Sequence, residues 1–548
     1  MWLHNYYAIG GNIFLTALCA AIPMFFLFWA LAIKRIKGHI ALLSTLGLTM
    51  IVAILVFGMP VPTMFAAASF GAMNGVFPLC WLVFNAVLFY NLVNASGKFE
   101  IIKTSIATLS NDRRVQIILI GYCFSAFLEG TTAQGAPVAI AAAMLVGLGF
   151  PIIPAAVLCL VGNTVPVPFG PVGMPTITMA NTAQVDVYAV TASVGGIMCL
   201  FALFIPAYLV IIMAGTKATK EVLPVCIVAS VTYIIPNWYI TQYMGPELPS
   251  LLSPLVSLAG VIILLKVWKP KTIWRFENDA AIVESDKDKY TAGQVAHAWM
   301  PFILVTGLMF IWSLQSFKTF AADLNIFIRI APWPGMFETV ARNVPVVAEP
   351  AAYNASYAFN MVSAVGTALL LSSIGTMIVF KMAPGLGAKV LASTAKQLRF
   401  ALITLVCVIS IAHLSNYSGI SFTLGLAFAA TGPLFLIFSP CIGFLGVFLT
   451  GSVTSSGALF GNLQKVTAIS LGMNPLITIS ASMTGAVMGK LVSPQTMAIV
   501  AAACGIPGRE GEILRGATKY AFITLGISIV VMLVLGYGFP SYFPMIDF

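Results

Sequence analysis

The sequence predicts an all-α polytopic membrane protein with about 12 to 14 transmembrane helices, broken helices and re-entrant hairpins included, built as two inverted halves. Three observations lead there. Of the 548 residues, 60% are hydrophobic and 8% charged, with a mean hydropathy of +0.99, whereas soluble domains carry about 25% charged residues. Apolar runs recur at the length of roughly 20 residues that a bilayer core demands of a helix. Finally, 22 of the 27 basic residues fall in six short segments between those runs. A soluble enzyme is excluded. The formal charge of +10 is scattered instead of forming a stripe, which argues against a nucleic-acid partner and for lipid as the surrounding medium. The positive-inside rule places the six basic segments on the cytoplasmic side.

Residues 12–33 and 40–57 read as two spans joined by the basic turn at Lys34, Arg35 and Lys37. The first run has no preceding positive charge and is long enough to span, so it is expected to remain as a helix and not to be cleaved as a signal. Residues 64–93 contain Asn74, Gly75 and Pro78 and predict a broken or tilted helix. Lys98 to Arg114 reads as a cytoplasmic interfacial helix, and 115–185 as an apolar stretch dense in Gly, Pro, Thr and Asn. Spans follow at 187–214, 222–236 and 250–268, the last two flanking an external NWYITQYMGPELP loop. The linker 269–295 begins with ten charges in 21 residues and divides an amino-terminal half, 1–268, from a carboxy-terminal half, 296–548. In that second half, spans at 296–314 and 355–380 surround an external loop with PWPG. A basic loop from Lys381 to Arg399, broken apolar stretches over 400–506 and a last span near 520–538 complete the chain. Nine cysteines stand singly and read as packing thiols, and no metal or cofactor is expected.

The two halves share motifs. FLEG at Phe127–Gly130 returns as FLTG at Phe448–Gly451, 321 residues later. Each is followed by small residues, TTAQGA and SVTSSG. Both halves then reach a helix-breaking proline beside threonine, in GMPT (Gly173 to Thr176) and SPQT (Ser493 to Thr496). If 400–432 crosses once as a helix broken at SNYSG, the second copy starts outside and the first inside, which makes the repeat inverted.

Of 17 carboxylates, only Glu129 lies deep in an apolar stretch. An ionisable group there costs about 2.5 to 3.5 kcal/mol to insert and so reads as functional, here as a proton carrier. Lys490 is read in two ways, as a chain snorkelling to the interface or as a counter-charge to Glu129 or to a substrate carboxylate. Lys465 reads as snorkelling. His413 is either a proton relay or a packing residue. The polar clusters Gly130, Thr131, Thr132 and Gln134, then Asn163 and Thr164, Asn416 and Ser418, and Thr454, Ser455 and Ser456 sit beside Gly and Pro. Unwound backbone in a membrane is tolerated where it lines a cavity, and the freed helix amino termini attract anions. Facing breaks of this kind would hold a small carboxylate. A membrane enzyme lacks support, because His413 has no acidic or cysteine partner at ligand spacing.

FSAFLEGTTAQGAPVAIAAAMLVGLGF (Phe124 to Phe150), HLSNYSG, GVFLTGSVTSSGALFGNLQ and GKLVSPQTMAI together resemble the bacterial L-lactate permease family, in the same order along the whole chain. The resemblance implies a secondary transporter importing L-lactate, D-lactate or glycolate by proton symport across the bacterial inner (cytoplasmic) membrane. It implies roles for Glu129, Gly130, Gly135, Ala136 and Pro137 (EGxxxxGAP), for Thr454, Ser455 and Ser456 (TSS), and for Lys490, Ser493, Pro494 and Gln495 (GKxxSPQ). The chain departs from the family pattern at Val453, where Asp is usual, at Gly457, where Asn is usual, and at Gln134, where an aromatic is usual. The missing Asp keeps a Na⁺-coupled carrier of another organic anion open beside the proton symporter, and a passive anion channel remains a third reading.

Overall fold

The computed structural model describes residues 1–34, 36–132, 135–276, 290–323, 327–330, 332–347 and 349–545. Among them, ten helices are long and apolar enough to cross a bilayer. The pair Ile13–Ala20 and Ile22–Leu31, bent by 40°, is an eleventh. Pro23 at the start of the second piece has no N–H to continue the first, which accounts for the bend. The run predicted at 64–93 is a helical stretch from Val61 to Ala95 that breaks where expected, through Gly75–Cys80, with Phe77 in an extended conformation. The Tyr357 hydroxyl donates to the freed carbonyl of Phe77 at 3.1 Å, so the break is satisfied inside the protein.

The same order of elements occurs twice. From Arg113 a helical arm runs to Thr131, turns, and returns as Ala136–Gly147. Both ends of this first hairpin lie together, since the Arg113 guanidinium sits 5.5 Å from the Phe150 ring. Helix Ile152–Gly162 follows, breaks, and resumes as Met174–Ala183. In the second half, Phe435–Thr450 and Val453–Ser470 form the hairpin, and Pro475–Lys490 and Pro494–Ala503 the broken helix. Here the Ser439 hydroxyl lies 2.8 Å from both Gln464 Oε1 and the Thr478 carbonyl, with one proton to give to either, and so ties the two arms to the helix that follows. Helix Pro494–Ala503 packs along Ala136–Gly147. The ends of the first hairpin therefore lie with residues 503–509, and those of the second lie on the opposite face, beside Asn474 and its partner Pro544. Helix Pro475–Lys490 is buried along its whole length, so these pieces form the centre of the molecule while the longer spans surround it.

Several sequence expectations give way to packing. The external loop expected after residue 236 is helical to Tyr243. Its polar side chains are satisfied within the bundle, Asn237 donating to the Gly195 carbonyl at 3.2 Å and Thr241 to the Asn237 carbonyl at 2.8 Å. The preceding helix continues past 214 to Glu221, kinked at Gly215. The expected interfacial helix is only Phe99–Ala107, and Arg114, counted among the loop cations, is fully buried. It pairs with Asp112 and Glu221, each at 2.7 Å, and donates to the Thr272 carbonyl. The span expected from 355 begins at Val365, because Tyr357–Asn360 is a strand antiparallel to Phe327–Ile330. A second small sheet joins Trp2–Leu3 to Val340–Ala341 in parallel, and Ala351–Ala352 to the same strand in antiparallel. The helical class stands, and these sheets are the part of it that was not foreseen. Linker residues 277–289 lie outside the described residues.

The loop between 314 and 364 is also held by a contact to buried Glu247: Lys318 lies 3.6 Å from it and donates to the Tyr188 hydroxyl at 2.7 Å. Burial pushes the Glu247 carboxyl up from its usual range, partly offset by the Lys318 charge. The alternation of basic loops yields a labelling prediction. In a Cys-free background, a cysteine at Gln242, which is exposed, is expected to react with an impermeant thiol reagent from outside intact cells. One at Ala280 is expected to react only after permeabilisation. Labelling of position 280 in intact cells would reverse the orientation.

Candidate functional site

Two interruptions, one from each half, meet in the middle of the molecule. In the first hairpin the helix through FLEG ends at Thr131, with Thr131 and Thr132 hydroxyls turned back onto the Leu128 carbonyl at 3.2 and 2.8 Å. In the second, Gly451 takes φ +71°, which glycine adopts without strain. Its α-carbon abuts the Gln495 side chain, so a larger residue would have nowhere to go. Ser452 then caps helix Val453–Ser470, accepting from the Ser455 N–H at 3.2 Å. The first turn of that helix keeps unpaired N–H groups and the positive end of its dipole.

Lys490 ends helix Pro475–Lys490, and its Nζ donates to Glu129 Oε1 at 2.7 Å. The Asn163 Oδ1 lies 3.4 Å from the same nitrogen, while Asn163 Nδ2 is anchored on Ser125 at 3.1 Å. Glu129 and Lys490 are 5% and 9% exposed, so the pair lies in a medium where removing either partner strands a charge. The second carboxylate oxygen, Glu129 Oε2, is buried without a partner. The pair lines a cavity of about 390 Å³ whose walls include Thr450, Gly451, Ser452, Thr454 and Ser455 of the second hairpin, and Gly170, Pro171 and Met174 of the first broken helix. Its other end is lined by His39, Gln397 and Phe400, where His39 stacks on Phe400 at 4.3 Å. These residues adjoin the basic segments at Lys37 and at Lys396 to Arg399, so the cavity reaches the basic-loop face. A carboxylate oxygen with spare capacity, an ammonium and a helix amino terminus around one cavity are suited to a proton and a small anion.

The L-lactate permease family model matches residues 16–538. The chain belongs to that family. It is 38% identical to the L-lactate permease of Bacillus subtilis (strain 168), over 97% of this chain and 98% of the relative. It is likewise 38% identical to the glycolate permease GlcA of Escherichia coli (strain K12), over 98% and 99%, and 39% identical to the L-lactate permease of that strain, over 98% of each chain. This permease is therefore a multi-pass membrane transporter.

Of the residues predicted for its site, Glu129, Lys490, Thr454 and Ser455 line the cavity, and Asn163 supports Lys490 from behind. Others have structural partners instead. Thr164 bonds the Val161 carbonyl, and Ser456 bonds the Gly443 carbonyl inside its hairpin. Gly130 permits close approach of the Ser250 carbonyl. Asn416 donates to the Thr182 carbonyl at 2.9 Å, and Ser418 is buried beside Ser415. His413 packs between the rings of Phe70 and Tyr417 and is not among the residues lining the cavity. Gln134 lies outside the described residues. The sequence reading missed Gly170, Thr450 and His39. Thr450 was legible, because it occupies in FLTG the place of Glu129 in FLEG.

Gly170 yields a prediction. Its φ of −96° suits any residue, but a Cβ there would lie 2.6 Å from Glu129 Cγ and 2.7 Å from the Glu129 carbonyl oxygen. Gly170→Ala is expected to push the carboxyl off Lys490 and to lower transport at least tenfold at normal expression, measured as substrate exchange in proteoliposomes. Wild-type exchange by this variant would show that the pair tolerates displacement.

Proposed function

We propose that this permease imports a small 2-hydroxy monocarboxylate, such as L-lactate, D-lactate or glycolate, across the cytoplasmic membrane together with a proton. The observation that carries this reading is the buried Glu129–Lys490 pair at the end of the cavity. With the site empty, carboxylate and ammonium neutralise each other. An anion alone would add an uncompensated negative charge, and a proton alone would leave Lys490 uncompensated. When a proton neutralises Glu129 and a carboxylate replaces it at Lys490, the site is neutral again. Only the empty and the doubly loaded forms cross without a buried net charge, which is the condition for symport. The amino terminus of helix Val453–Ser470, with Ser452 to Ser455, supplies N–H and hydroxyl donors for the second oxygen of the substrate and its 2-hydroxyl. Relatives named as lactate and glycolate permeases support the substrate class.

Counterflow in proteoliposomes with a panel of carboxylates, at several pH values and with or without Na⁺, tests the proposal. Short 2-hydroxy acids are expected to exchange, and accumulation to follow an imposed pH gradient without Na⁺. Accumulation that needs Na⁺ and ignores pH would replace the proton with sodium. Downhill flux alone would make the protein a channel.

A further inference from the structure

A second group of cations lies on the opposite face, where the 314–364 loop covers the outer arm of the second hairpin. Arg342, at the end of strand Val340–Arg342, is half-buried. Its guanidinium stacks on Tyr353 with 5.1 Å between Cζ and the ring centre. Arg342 Nε is buried without a hydrogen-bond partner, and so is the hydroxyl of Tyr353, a residue only 4% exposed. Lys465 approaches from helix Val453–Ser470, and its Nζ donates to the Gln184 carbonyl at 3.0 Å. The neighbouring Val466 packs on Tyr6, whose hydroxyl accepts from the Asn343 N–H at 3.2 Å. Lys465 and Arg342 are thereby each one residue from a group that touches Tyr6, which puts both on the same part of the loop face. Burial, with the Arg342 charge as a smaller cause, holds the adjacent His4 down at about 4, so it adds no charge of its own.

Among the described residues, neither Arg342 nor Lys465 has an acidic partner. Two like charges from different parts of the chain, together with two orphaned donors, are unfavourable unless something negative joins them. An arginine fork beside a free hydroxyl matches the two oxygens of a carboxylate. Two cations that share a patch of surface also raise the local concentration of anions there.

We propose that Arg342, Lys465 and the Tyr353 hydroxyl form a reception site for a small monoanion on the loop face, separate from the cavity at Glu129 and Lys490. Two anions meet that description, the transported carboxylate and inorganic chloride, and the substrate is the one assigned here. That assignment rests on the carboxylate reading given above, whereas the site itself does not.

Two measurements test it. The first needs no transport. In a Lys490→Gln background, which removes the ammonium of the central cavity, sodium L-lactate is expected to raise the unfolding temperature of the purified protein. Adding Arg342→Gln and Lys465→Gln is expected to abolish that shift, and Arg342→Lys with Lys465→Arg to keep it. A shift produced by sodium chloride and not by lactate would keep the site and change its occupant. Equal shifts with and without the two cations would overturn it. The second measurement is initial uptake in oriented proteoliposomes with Lys490 intact. Arg342→Gln with Lys465→Gln is expected to raise the half-saturating L-lactate concentration several-fold from the loop face and to leave it unchanged from the basic-loop face. The same change from both faces would mark general damage and overturn the proposal. If lactate stabilises the Lys490→Gln protein only while Arg342 and Lys465 are present, and wild type does not transport lactate, the carboxylate carrier reading fails while the reception site stands.

Discussion

Glu129→Gln is expected to keep exchange of the anion and to lose uptake driven by an imposed pH gradient. Glutamine preserves the shape of the side chain and leaves Lys490 free, so the doubly loaded site forms without a proton. Exchange returns the carrier loaded, and it needs no step in which the empty site crosses. Net uptake does need that step. In this variant the empty site carries the bare ammonium of Lys490 through the membrane interior, at a cost of about 2.5 to 3.5 kcal/mol on insertion scales, a slowing of roughly 70- to 400-fold. Counterflow of labelled L-lactate at fixed pH, compared with accumulation under a pH step, measures the two arms separately. Full pH-driven accumulation by this variant would remove Glu129 as the proton carrier. Attention would then move to sodium, since His413 stacks among aromatic rings and is not one of the residues lining the cavity.

Lys490→Gln has the opposite signature. Among the described residues, the ammonium is the only basic group lining the cavity apart from His39 at its other end, and a charge-assisted hydrogen bond contributes about 1.5 to 3 kcal/mol. Apparent affinity for the anion should therefore fall at least tenfold, about 1.4 kcal/mol. The variant also leaves Glu129 buried without its partner, which costs about 3 to 5 kcal/mol when one side of such a pair is removed. The double variant Glu129→Gln with Lys490→Gln should regain most of that stability without regaining affinity, which separates the two effects. Purified proteins compared by thermal unfolding and by half-saturation of exchange make the distinction. Unchanged affinity in a well-expressed Lys490→Gln protein would reduce the lysine to a structural partner.

What the sequence made legible was what a membrane penalises. A carboxylate in an apolar stretch, a lysine in another and matched helix breaks each stand out because they are costly in lipid, and the structure places Glu129 and Lys490 within 2.7 Å. The hydroxyl clusters were less informative. Thr131, Thr132 and Thr164 spend their hydroxyls on their own helix ends, and such local bonds leave no mark on the pattern of the sequence. Gly170 was missed because its requirement is a close approach from another segment, not an unusual backbone angle. The burial of Arg114 was not legible, because counting charges by loop ignores the acids that neutralise them: Asp112 is two residues away, but Glu221 comes from a distant helix end. The small sheets in the 314–364 loop escaped for a similar reason, since strands of two to four residues carry almost no periodicity.

The pairing of Trp2 and Leu3 with Val340 and Ala341 ties the assembly of this protein to the clock of its synthesis. At about 5 to 20 residues per second, roughly 20 to 70 seconds separate the making of the first strand from that of its partner. Throughout that interval His4, whose Nε2 finally bonds a group as distant as the Tyr417 carbonyl at 2.9 Å, has of its ring partners only Trp2 and Tyr6. The leading segment must wait while some three hundred residues are inserted, and it docks only after the second half has begun to arrive. The amino terminus thus serves as a late closing piece of the bundle, and a nascent chain halted before residue 340 has every helix of its first half but lacks the strand that pairs with the end where it began.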